Sequence, residues 1–287
     1  MKPVIGLTCG DPAGIGPEVI RGALVSGRLP EGFGYRVLGE TDRFQPGHPT
    51  RESARHAFET LEEAVRLAKR GEIQAVVTGP ISKKSMYEVG FRFPGQTEFF
   101  ADRTGTQNFA MCLTGGALTV ALTTVHVPLK DVPALLSRKE IVRVGGLLVE
   151  FLRRRKWECP RVAVAGLNPH AGEEGEMGRE EIEIIGPAVT ELQALWKSRA
   201  RISGPYPPDT LFHRAAGGEF DGVLCMYHDQ GLIPLKLHAF DEGVNVTLGL
   251  PYPRTSPDHG TAFEIAGKNL ARPDSMIAAI RLACEMV

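Results

Sequence analysis

Short apolar runs alternate with amphipathic helical segments along this chain, and this alternation limits the available folds more than any other feature. Residues 3–8 form one such run, which leads into a glycine-rich loop and a helix. Residues 75–78 form another, after a helix predicted over 51–70. Strands and helices that alternate in this way favour an open sheet with helices on both faces. The sequence therefore predicts an α/β fold with a largely parallel sheet.

Two segments carry clear helix signals. Ser137-Arg-Lys-Glu140 has the form of a capping box and opens a segment with apolar residues at helical spacing. The helix predicted over 51–70 is followed by Gly71, the residue type that commonly ends a helix. Helices are thus expected to begin after Ser137 and to end near Arg70.

Size and charge narrow the class of protein. A chain of 287 residues exceeds the usual size of one domain and predicts two lobes or one large α/β domain. The 33 Lys and Arg residues nearly balance 34 Asp and Glu residues, giving a net charge of −1. This balance argues against a nucleic-acid binder that depends on a basic surface.

Cysteine usage and apolar stretches indicate the cellular location. The five cysteines are scattered without a CxxC pair, as is typical of reduced cytosolic thiols. The N-terminal segment lacks the apolar core of a signal peptide. The uncharged stretch 104–129 contains Gly115-Gly116 and six threonines, which fit two strands around a turn better than a membrane span. We therefore expect a cytoplasmic protein that does not contact membranes.

Three histidines follow predicted strands directly: His126, His170 and His228. Ligands of open α/β sheets bind at the carboxyl ends of strands, where neutral imidazoles can converge on one divalent ion. The intervals of 44 and 58 residues carry no local metal-site signature. From the residues alone, one shared metal site and three separately hydrogen-bonded histidines both remain open.

His259 lies just before a helix predicted to begin near Thr261. It could cap that helix, line the same cleft as the other histidines, or contact a cofactor. The sequence favours capping or simple packing over the other two roles.

The glycine-rich loop Gly10–Gly16 lies between a strand and a helix, the right context for anion binding at a helix N-terminus. It is not a GxGxxG motif, however, and Glu18 in the first helical turn would oppose a phosphate. The loop therefore favours a tight, packed turn. The absence of GxxxxGK[ST], GxSxG and HExxH motifs argues against P-loop hydrolysis and α/β-hydrolase chemistry.

Lys236, Asn245 and Arg254 follow His228 at intervals of 8, 9 and 9 residues, each near an element boundary. Two cations and an amide near a metal site would suit a small substrate with phosphate or carboxylate groups. The alternative for each of the cations is a surface salt bridge.

Six strings of residues together resemble the 4-hydroxythreonine-4-phosphate dehydrogenase family of pyridoxal phosphate biosynthesis. The resemblance covers residues 3 to about 283. The strings are Gly10-Asp-Pro-Ala-Gly-Ile-Gly-Pro-Glu18, Pro94-Gly-Gln-Thr-Glu98, Gly166-Leu-Asn-Pro-His-Ala-Gly-Glu173, Tyr227-His-Asp-Gln-Gly231, Asn245-Val-Thr-Leu-Gly-Leu250 and Arg254-Thr-Ser-Pro-Asp-His-Gly-Thr261.

The resemblance implies a two-lobed α/β/α homodimer with an isocitrate and isopropylmalate dehydrogenase-like fold and its active site in the cleft between lobes. Residues 1–95 with 245–287 are expected to form the first lobe. Residues 96–244 are expected to form the second, with the metal ligands and the dimer contacts.

The resemblance also assigns site residues. It implies one divalent metal ion, Zn, Mg or Co, held by His126, His170 and His228 from both subunits. Substrate contacts map to Gln96, Thr97, Lys236, Asn245 and Arg254. Asp209 and Asp229 map close to the metal, and the general base remains open between Lys236 and Asp229. We also expect His259 near the metal.

The implied reaction is oxidation of the C3 hydroxyl of 4-phosphooxy-threonine by NAD or NADP, followed by loss of CO2 from the β-keto acid. The nucleotide is expected to bind without a Rossmann fingerprint.

Two departures from the family pattern leave alternatives open. Gln96 stands where the family usually has histidine, and Gln cannot carry a charge. The chain is also short for the family, with residues missing between Glu40 and Pro49. A dehydrogenase of 4-phospho-threonate or 4-phospho-erythronate is therefore an alternative, and a metal-dependent phosphate-ester hydrolase or binding protein is another.

Overall fold

The computed structural model describes residues 2–155 and 157–287. The chain forms two compact units, Met1–Gln107 with Val244–Val287 and Asn108–Gly243. The strands are β1 Val4–Thr8, β2 Gly34–Leu38, β3 Ala75–Thr78, β4 Ala110–Gly115, β5 Leu118–Leu122, β6 Arg161–Ala165, β7 Arg201–Tyr206, β8 Gly222–Cys225, β9 Val244–Leu248 and β10 Arg254–Pro257. The helices are α1 Gly16–Val25, α2 Arg51–Lys69, α3 Lys83–Glu88, α4 Gln96–Thr104, α5 Val132–Leu135, α6 Arg138–Arg154, α7 Gly186–Trp196, α8 Pro208–Ala216, α9 His228–Ala239 and α10 Asp274–Glu285.

The sheet of the first unit has the strand order β2-β1-β3-β10-β9. The pairs β1–β2, β1–β3 and β3–β10 are parallel, and β9 runs antiparallel to β10. Helix α2 begins at a capping box in which the Thr50 hydroxyl accepts a hydrogen bond from the Ser53 amide. Gly71 follows its end at a φ of +69°, so this helix confirms the sequence prediction.

The second unit has the strand order β4-β5-β8-β6-β7. Strands β4 and β5 form an antiparallel pair around Gly115-Gly116, as the uncharged stretch predicted. Strands β5, β8, β6 and β7 are parallel neighbours. In the described part of the chain, no helix is long and apolar enough to cross a membrane. The predicted α/β class with a largely parallel sheet is confirmed.

Helix α6 covers the sheet of the second unit. The Ser137 hydroxyl caps it by accepting a hydrogen bond from the Glu140 amide, as the capping-box pattern predicted. Its apolar stripe is buried: Ile141, Val144, Leu148 and Phe151. These positions recur every three or four residues, so one face of the helix turns toward the core.

The prediction that a helix begins near Thr261 is wrong. The segment 261–273 forms turns, and α10 begins only at Asp274. Ala262 and Asn269 adopt φ values of +42° and +54°, which a right-handed helix cannot contain. Gly267 lies so close to Pro46 that a Cβ there would be 2.6 Å from the proline ring. Tertiary contacts therefore override the local helical pattern.

The first unit extends further along the chain than the predicted first lobe. The structure divides the chain after residue 107, whereas the predicted first lobe ended at residue 95. Helix α4 packs in the first unit, where Arg103 donates to both carboxylate oxygens of Glu62 at 2.7–3.0 Å.

Between β2 and α2, residues 39–50 contain neither helix nor strand, and the Gly47 amide donates to the Ala13 carbonyl at 2.8 Å. This short connection therefore packs directly on the glycine-rich loop.

We expect Gly16→Ala to lower the free energy of unfolding by about 3 kcal/mol. A Cβ at Gly16 would lie 1.9 Å from the Cys9 carbonyl oxygen, so the backbone would have to shift. Urea denaturation followed by circular dichroism measures the effect. Gly260→Ala is the control, because nothing lies within 4 Å of a Cβ there. Equal losses in the two variants would contradict this steric explanation.

Candidate active site

Three histidines of the second unit follow three adjacent strands. His126 follows β5, His228 follows β8 and His170 follows β6, and the sheet order places β8 between β5 and β6. Because these strands are parallel, their carboxyl ends lie at the same edge of the sheet. The rings of His126 and His228 approach to 5.5 Å between centroids. The sheet thus brings together segments that are far apart in the sequence.

His228 is the first residue of α9 and is oriented by its neighbour. Its Nδ1 donates to Asp229 Oδ1 at 2.7 Å. A carboxylate on Nδ1 fixes the ring orientation and keeps the proton on that nitrogen, which directs the Nε2 lone pair toward a ligand. Asp229 is therefore engaged in orienting His228.

His170 lies in an unusual backbone segment, the left-handed turn 170–174. All five residues have positive φ, between +42° and +85°. Four of them are not glycine, and each such residue costs about 1 kcal/mol or more in this conformation. The His170 Nδ1 donates to Glu173 Oε2 at 2.6 Å. The turn thus places a carboxylate on His170 in the same way that Asp229 is placed on His228.

A buried carboxylate holds the start of this segment. Glu181 Oε1 accepts hydrogen bonds from the amides of Leu167 and Asn168 at 2.7 and 2.8 Å, and its Oε2 accepts from Asn168 Nδ2 at 2.9 Å. Glu181 begins a π-helical turn, Glu181–Ile185, ahead of α7. Strain at 170–174 persists because these contacts fix the backbone just before it. No local sequence pattern pointed to Glu181, whose partners lie 13 and 14 residues away.

The donor chemistry of these residues fits a divalent metal ion. Imidazoles whose Nδ1 atoms are held by carboxylates are the usual ligands of zinc and of related ions. Within the described residues of a single chain, no three His, Cys, Asp or Glu side chains are grouped closely enough to hold a metal. The structure brings His126 and His228 together, and the three-histidine site remains a prediction that involves a second subunit.

The other predicted residues of the second unit lie on two helices. Lys236 is half-buried on α9, eight residues after His228. Asp209 is exposed in the first turn of α8. Both therefore belong to the same unit as the predicted metal ligands.

Arg254 is the most unusual residue of the first unit, because its side chain is buried and has no ion-pair partner among the described residues. It is 3% exposed and donates to Thr78 Oγ1 at 2.5 Å, to Gln96 Oε1 at 3.2 Å and to Thr247 Oγ1 at 3.3 Å. Its Nε finds no hydrogen-bond partner among the described residues. Burial lowers the pKa of Arg254 to about 10, although the charge of Glu98 acts in the opposite direction. A buried guanidinium with neutral partners is suited to an anionic ligand.

Further predicted substrate contacts surround Arg254. Gln96, at the start of α4, donates its Nε2 to the Gly79 carbonyl at 3.1 Å while its Oε1 accepts from Arg254. The hydroxyls of Thr97 and Thr247 are 3.2 Å apart. Asn245 is two residues before Thr247 on β9, so both side chains lie on one face of that strand. Its buried Oδ1 finds no partner within residues 2–155 and 157–287.

His259 belongs to the first unit. Its Nδ1 donates to the Gly260 carbonyl at 3.1 Å, and its buried Nε2 has no hydrogen-bond partner in the described parts of the chain. Burial lowers the pKa of His259, so the neutral form predominates near pH 7. A capping role is wrong, because no helix begins at Thr261. The cleft and cofactor roles stay predictions.

The glycine-rich loop is a packed turn, as the sequence favoured. The Ala13 amide donates to Asp11 Oδ1 and the Ile15 amide donates to the Thr261 carbonyl, so these groups are not directed at an anion. Glu18 accepts hydrogen bonds from the amides of Gly267 and Ala271. A cavity of about 320 Å³ lies beside the loop, and Phe44, Glu18 and Asn269 are among its lining residues.

Comparisons with known proteins identify the family to which this chain is related. Residues 30–283 match the family model described as pyridoxal phosphate biosynthetic protein PdxA. The chain is 44% identical to 4-hydroxythreonine-4-phosphate dehydrogenase of Desulfosudis oleivorans over 326 positions, which cover 99% of this chain and 96% of the relative. Because this chain has only 287 residues, the relative carries additional residues inside the aligned region. The expectation that the chain is short for its family agrees with this.

Solved structures support the same relationship. The crystal structure of 4-hydroxythreonine-4-phosphate dehydrogenase from Klebsiella pneumoniae superposes with a TM-score of 0.83 at 36% identity, covering 99% of each chain. An isocitrate dehydrogenase from Methylococcus capsulatus matches at a TM-score of 0.53 and 16% identity, over 98% of this chain and 84% of that one. The second likeness concerns the fold alone and confirms the predicted isocitrate dehydrogenase-like class. The family match and the relatives together establish that this chain belongs to the pyridoxal phosphate biosynthetic protein PdxA family.

Proposed function

We propose that this protein oxidises 4-phosphohydroxy-L-threonine with NAD or NADP. The product, 2-amino-3-oxo-4-phosphooxybutanoate, is a β-keto acid that then loses CO2 to give 3-amino-2-oxopropyl phosphate. The observation that carries the proposal is the buried Arg254, whose guanidinium has neutral partners and an unpaired Nε. A substrate with phosphate and carboxylate groups supplies the anion that this residue lacks.

The residues around Arg254 bind and orient that substrate. The guanidinium forms a planar fork that can grip two oxygens of one anion, and the burial of the group strengthens the attraction. Asn245 Oδ1 is an unused acceptor, suited to an ammonium or hydroxyl group of the substrate. The Gln96 amide is held between the Gly79 carbonyl and Arg254, so it fixes the guanidinium in place.

His126, His170 and His228 would hold the divalent metal, Zn, Mg or Co. When bound, such an ion polarises substrate oxygens and stabilises the negative charge that develops on them. Asp229 and Glu173 would orient two of these imidazoles through Nδ1. Asp229 accepts a hydrogen bond from His228, and Lys236, on the same helix, is the other candidate for the general base.

We also propose that the enzyme is a homodimer that shares this site. Helix α9 and its C-cap residue carry three exposed apolar side chains on one face: Ile233, Leu237 and Phe240, which are 66%, 88% and 75% exposed. Their spacing of four and three residues defines one helical stripe. A second copy of the chain would cover this stripe and approach the helix that begins with His228. A ligand set that one chain leaves incomplete agrees with such sharing.

The alternative substrates differ at one position. In both 4-phospho-threonate and 4-phospho-erythronate a hydroxyl replaces the amino group at C2 while the phosphate remains, and these two acids differ from each other in configuration. Gln96 favours considering them, because a neutral amide stands where the resemblance leads us to expect histidine. Oxidation of one of these acids would leave the roles of Arg254 and the histidines unchanged.

A substrate panel tests the proposed reaction. Purified protein supplied with Zn²⁺, Mg²⁺ or Co²⁺ is expected to reduce NAD or NADP with 4-phosphohydroxy-L-threonine, and His170→Ala is expected to abolish this. Comparing kcat/KM over the three phosphorylated acids separates the proposal from its closest alternatives. Release of free phosphate without reduction of the nucleotide would instead support the hydrolase.

Arg254→Met is expected to raise KM for the phosphorylated substrate about 100-fold, because it removes charged hydrogen bonds to the anion. The free energy of unfolding should change little, since a buried charge without a counterion adds little to stability. Steady-state kinetics and urea denaturation measure the two effects. Arg28→Met removes an exposed ion pair with Asp274 and serves as the control. An unchanged KM in Arg254→Met would contradict the assigned role.

Leu237→Lys is expected to convert the protein from dimer to monomer, because it places a charge in the apolar stripe of α9. Size-exclusion chromatography with light scattering measures the mass. Val25→Lys is the matched control, since Val25 is also exposed but lies in the first unit, on α1. A wild-type protein that elutes as a monomer, or a dimer unaffected by Leu237→Lys, would overturn the proposed interface.

A further inference from the structure

Gln230 is a buried side chain that hydrogen-bonds to two different strand ends of the second unit. It is 6% exposed, on the first turn of α9. Its Oε1 accepts from the Met226 amide at 2.7 Å, and its Nε2 donates to the Gly166 carbonyl at 2.6 Å. Met226 is two residues before His228, and Gly166 is four residues before His170. One amide therefore joins the segments that carry two predicted metal ligands.

The register of the sheet explains why a side chain is needed there. Strands β6 and β8 pair up to Val164 and Leu224, and Gly166 and Met226 stand opposite each other two residues further on. The Gly166 amide donates instead to the Tyr206 carbonyl, on the side of β7. The Gln230 side chain thus replaces the next pair of backbone hydrogen bonds between β6 and β8. It donates to one strand end and accepts from the other.

The same network reaches the third histidine segment. The Met226 carbonyl accepts hydrogen bonds from the Thr124 hydroxyl at 2.8 Å and from the Thr124 amide at 3.2 Å. Thr124 is two residues before His126. Met226 therefore hydrogen-bonds to Gln230 through its amide and to Thr124 through its carbonyl. These bonds connect the ends of β5, β8 and β6.

Close packing leaves the first turn of α9 little room to shift. A Cβ at Gly231 would lie 3.0 Å from Cys225 Sγ and 3.2 Å from the side chains of Leu122 and Val120. The first turn of the helix thus packs closely on β5 and β8, and this packing fixes the position of the Gln230 amide. No carboxylate could replace it without placing an oxygen against the Gly166 carbonyl.

We propose that Gln230 is a positioning residue that fixes the segments carrying His170 and His228, and so the orientation in which each chain presents these two predicted metal ligands. The inference rests on the proposed function, since the histidines must bind the metal for their orientation to matter. Without the amide, the Met226 N–H and the Gly166 carbonyl would both be buried and unpaired. The strand ends would then separate or admit water, and the imidazoles would lose their alignment.

Cobalt binding tests this inference with a readout other than turnover. Full-length wild-type protein and Gln230→Met are titrated with Co²⁺, and the affinity and the visible absorption spectrum of the bound ion are measured. We expect Gln230→Met to weaken Co²⁺ binding about 10- to 100-fold, the usual effect of losing a group that orients ligands. The visible bands should also change, because they report the coordination geometry.

Gln193→Met is the matched control. Gln193 also donates a side-chain hydrogen bond to a backbone carbonyl of the second unit, to Ile202 at 2.9 Å, but on α7. Because Gln193 is exposed and Gln230 is buried, urea denaturation measures the stability of both variants, and only Gln230→Met should alter Co²⁺ binding under conditions where both are folded. Thr124→Val, which keeps the shape of the side chain, tests the same network if Gln230→Met does not fold, and it should weaken Co²⁺ binding several-fold.

The outcomes separate the inference from the proposed function. Wild-type Co²⁺ affinity and spectrum in Gln230→Met, or in Thr124→Val should the first variant not fold, would overturn the inference. If His170→Ala still lost Co²⁺ binding in that case, the proposed metal site would stand. If the wild-type protein and His170→Ala bound Co²⁺ equally, the metal site and the inference would both be overturned.

Discussion

The parallel pairing of β5, β8 and β6 is the constraint on which the rest of the second unit depends. It brings three segments that are separated by tens of residues in the chain to one edge of the sheet. Beyond the last paired residues of these strands, the polar backbone groups need new partners. Thr124, Gln230 and Glu181 provide these partners. The histidines can therefore project from irregular backbone that is nevertheless fixed.

Two buried charged side chains, Glu181 and Arg254, differ in how completely their hydrogen bonds are satisfied. Glu181 is surrounded by N–H groups that satisfy both of its oxygens, so its charge serves the fold. Arg254 has hydroxyl and amide oxygens around it and an unused Nε. A buried charge that remains incompletely paired lowers stability, and such sites persist where a ligand completes them.

How far the sequence predicted the structure depended on where the determining contacts lie. Helices α2 and α6 were predictable, because their caps and apolar stripes are local. The turns after Thr261 were not, because this segment contacts distant parts of the chain, as in the hydrogen bond from the Ile15 amide to the Thr261 carbonyl. The edge strand β2 was missed, since only one of its five residues, Leu38, is buried and the strand lacks a buried apolar run.

The site shows the same division. The histidines could be selected because each follows an apolar run, a local signal, although their convergence could not be derived from their spacing. Gln230 carries no such signal, because its partner Gly166 lies 64 residues away and becomes its neighbour only through the register of β6 and β8. The apolar stripe of α9 was also not recognised, since a helix at this position is expected to bury such residues within its own chain. That Leu237 is instead exposed, on the helix that begins with His228, joins the proposed dimer contact and the proposed metal site in one element. Assembly and metal binding should then depend on each other.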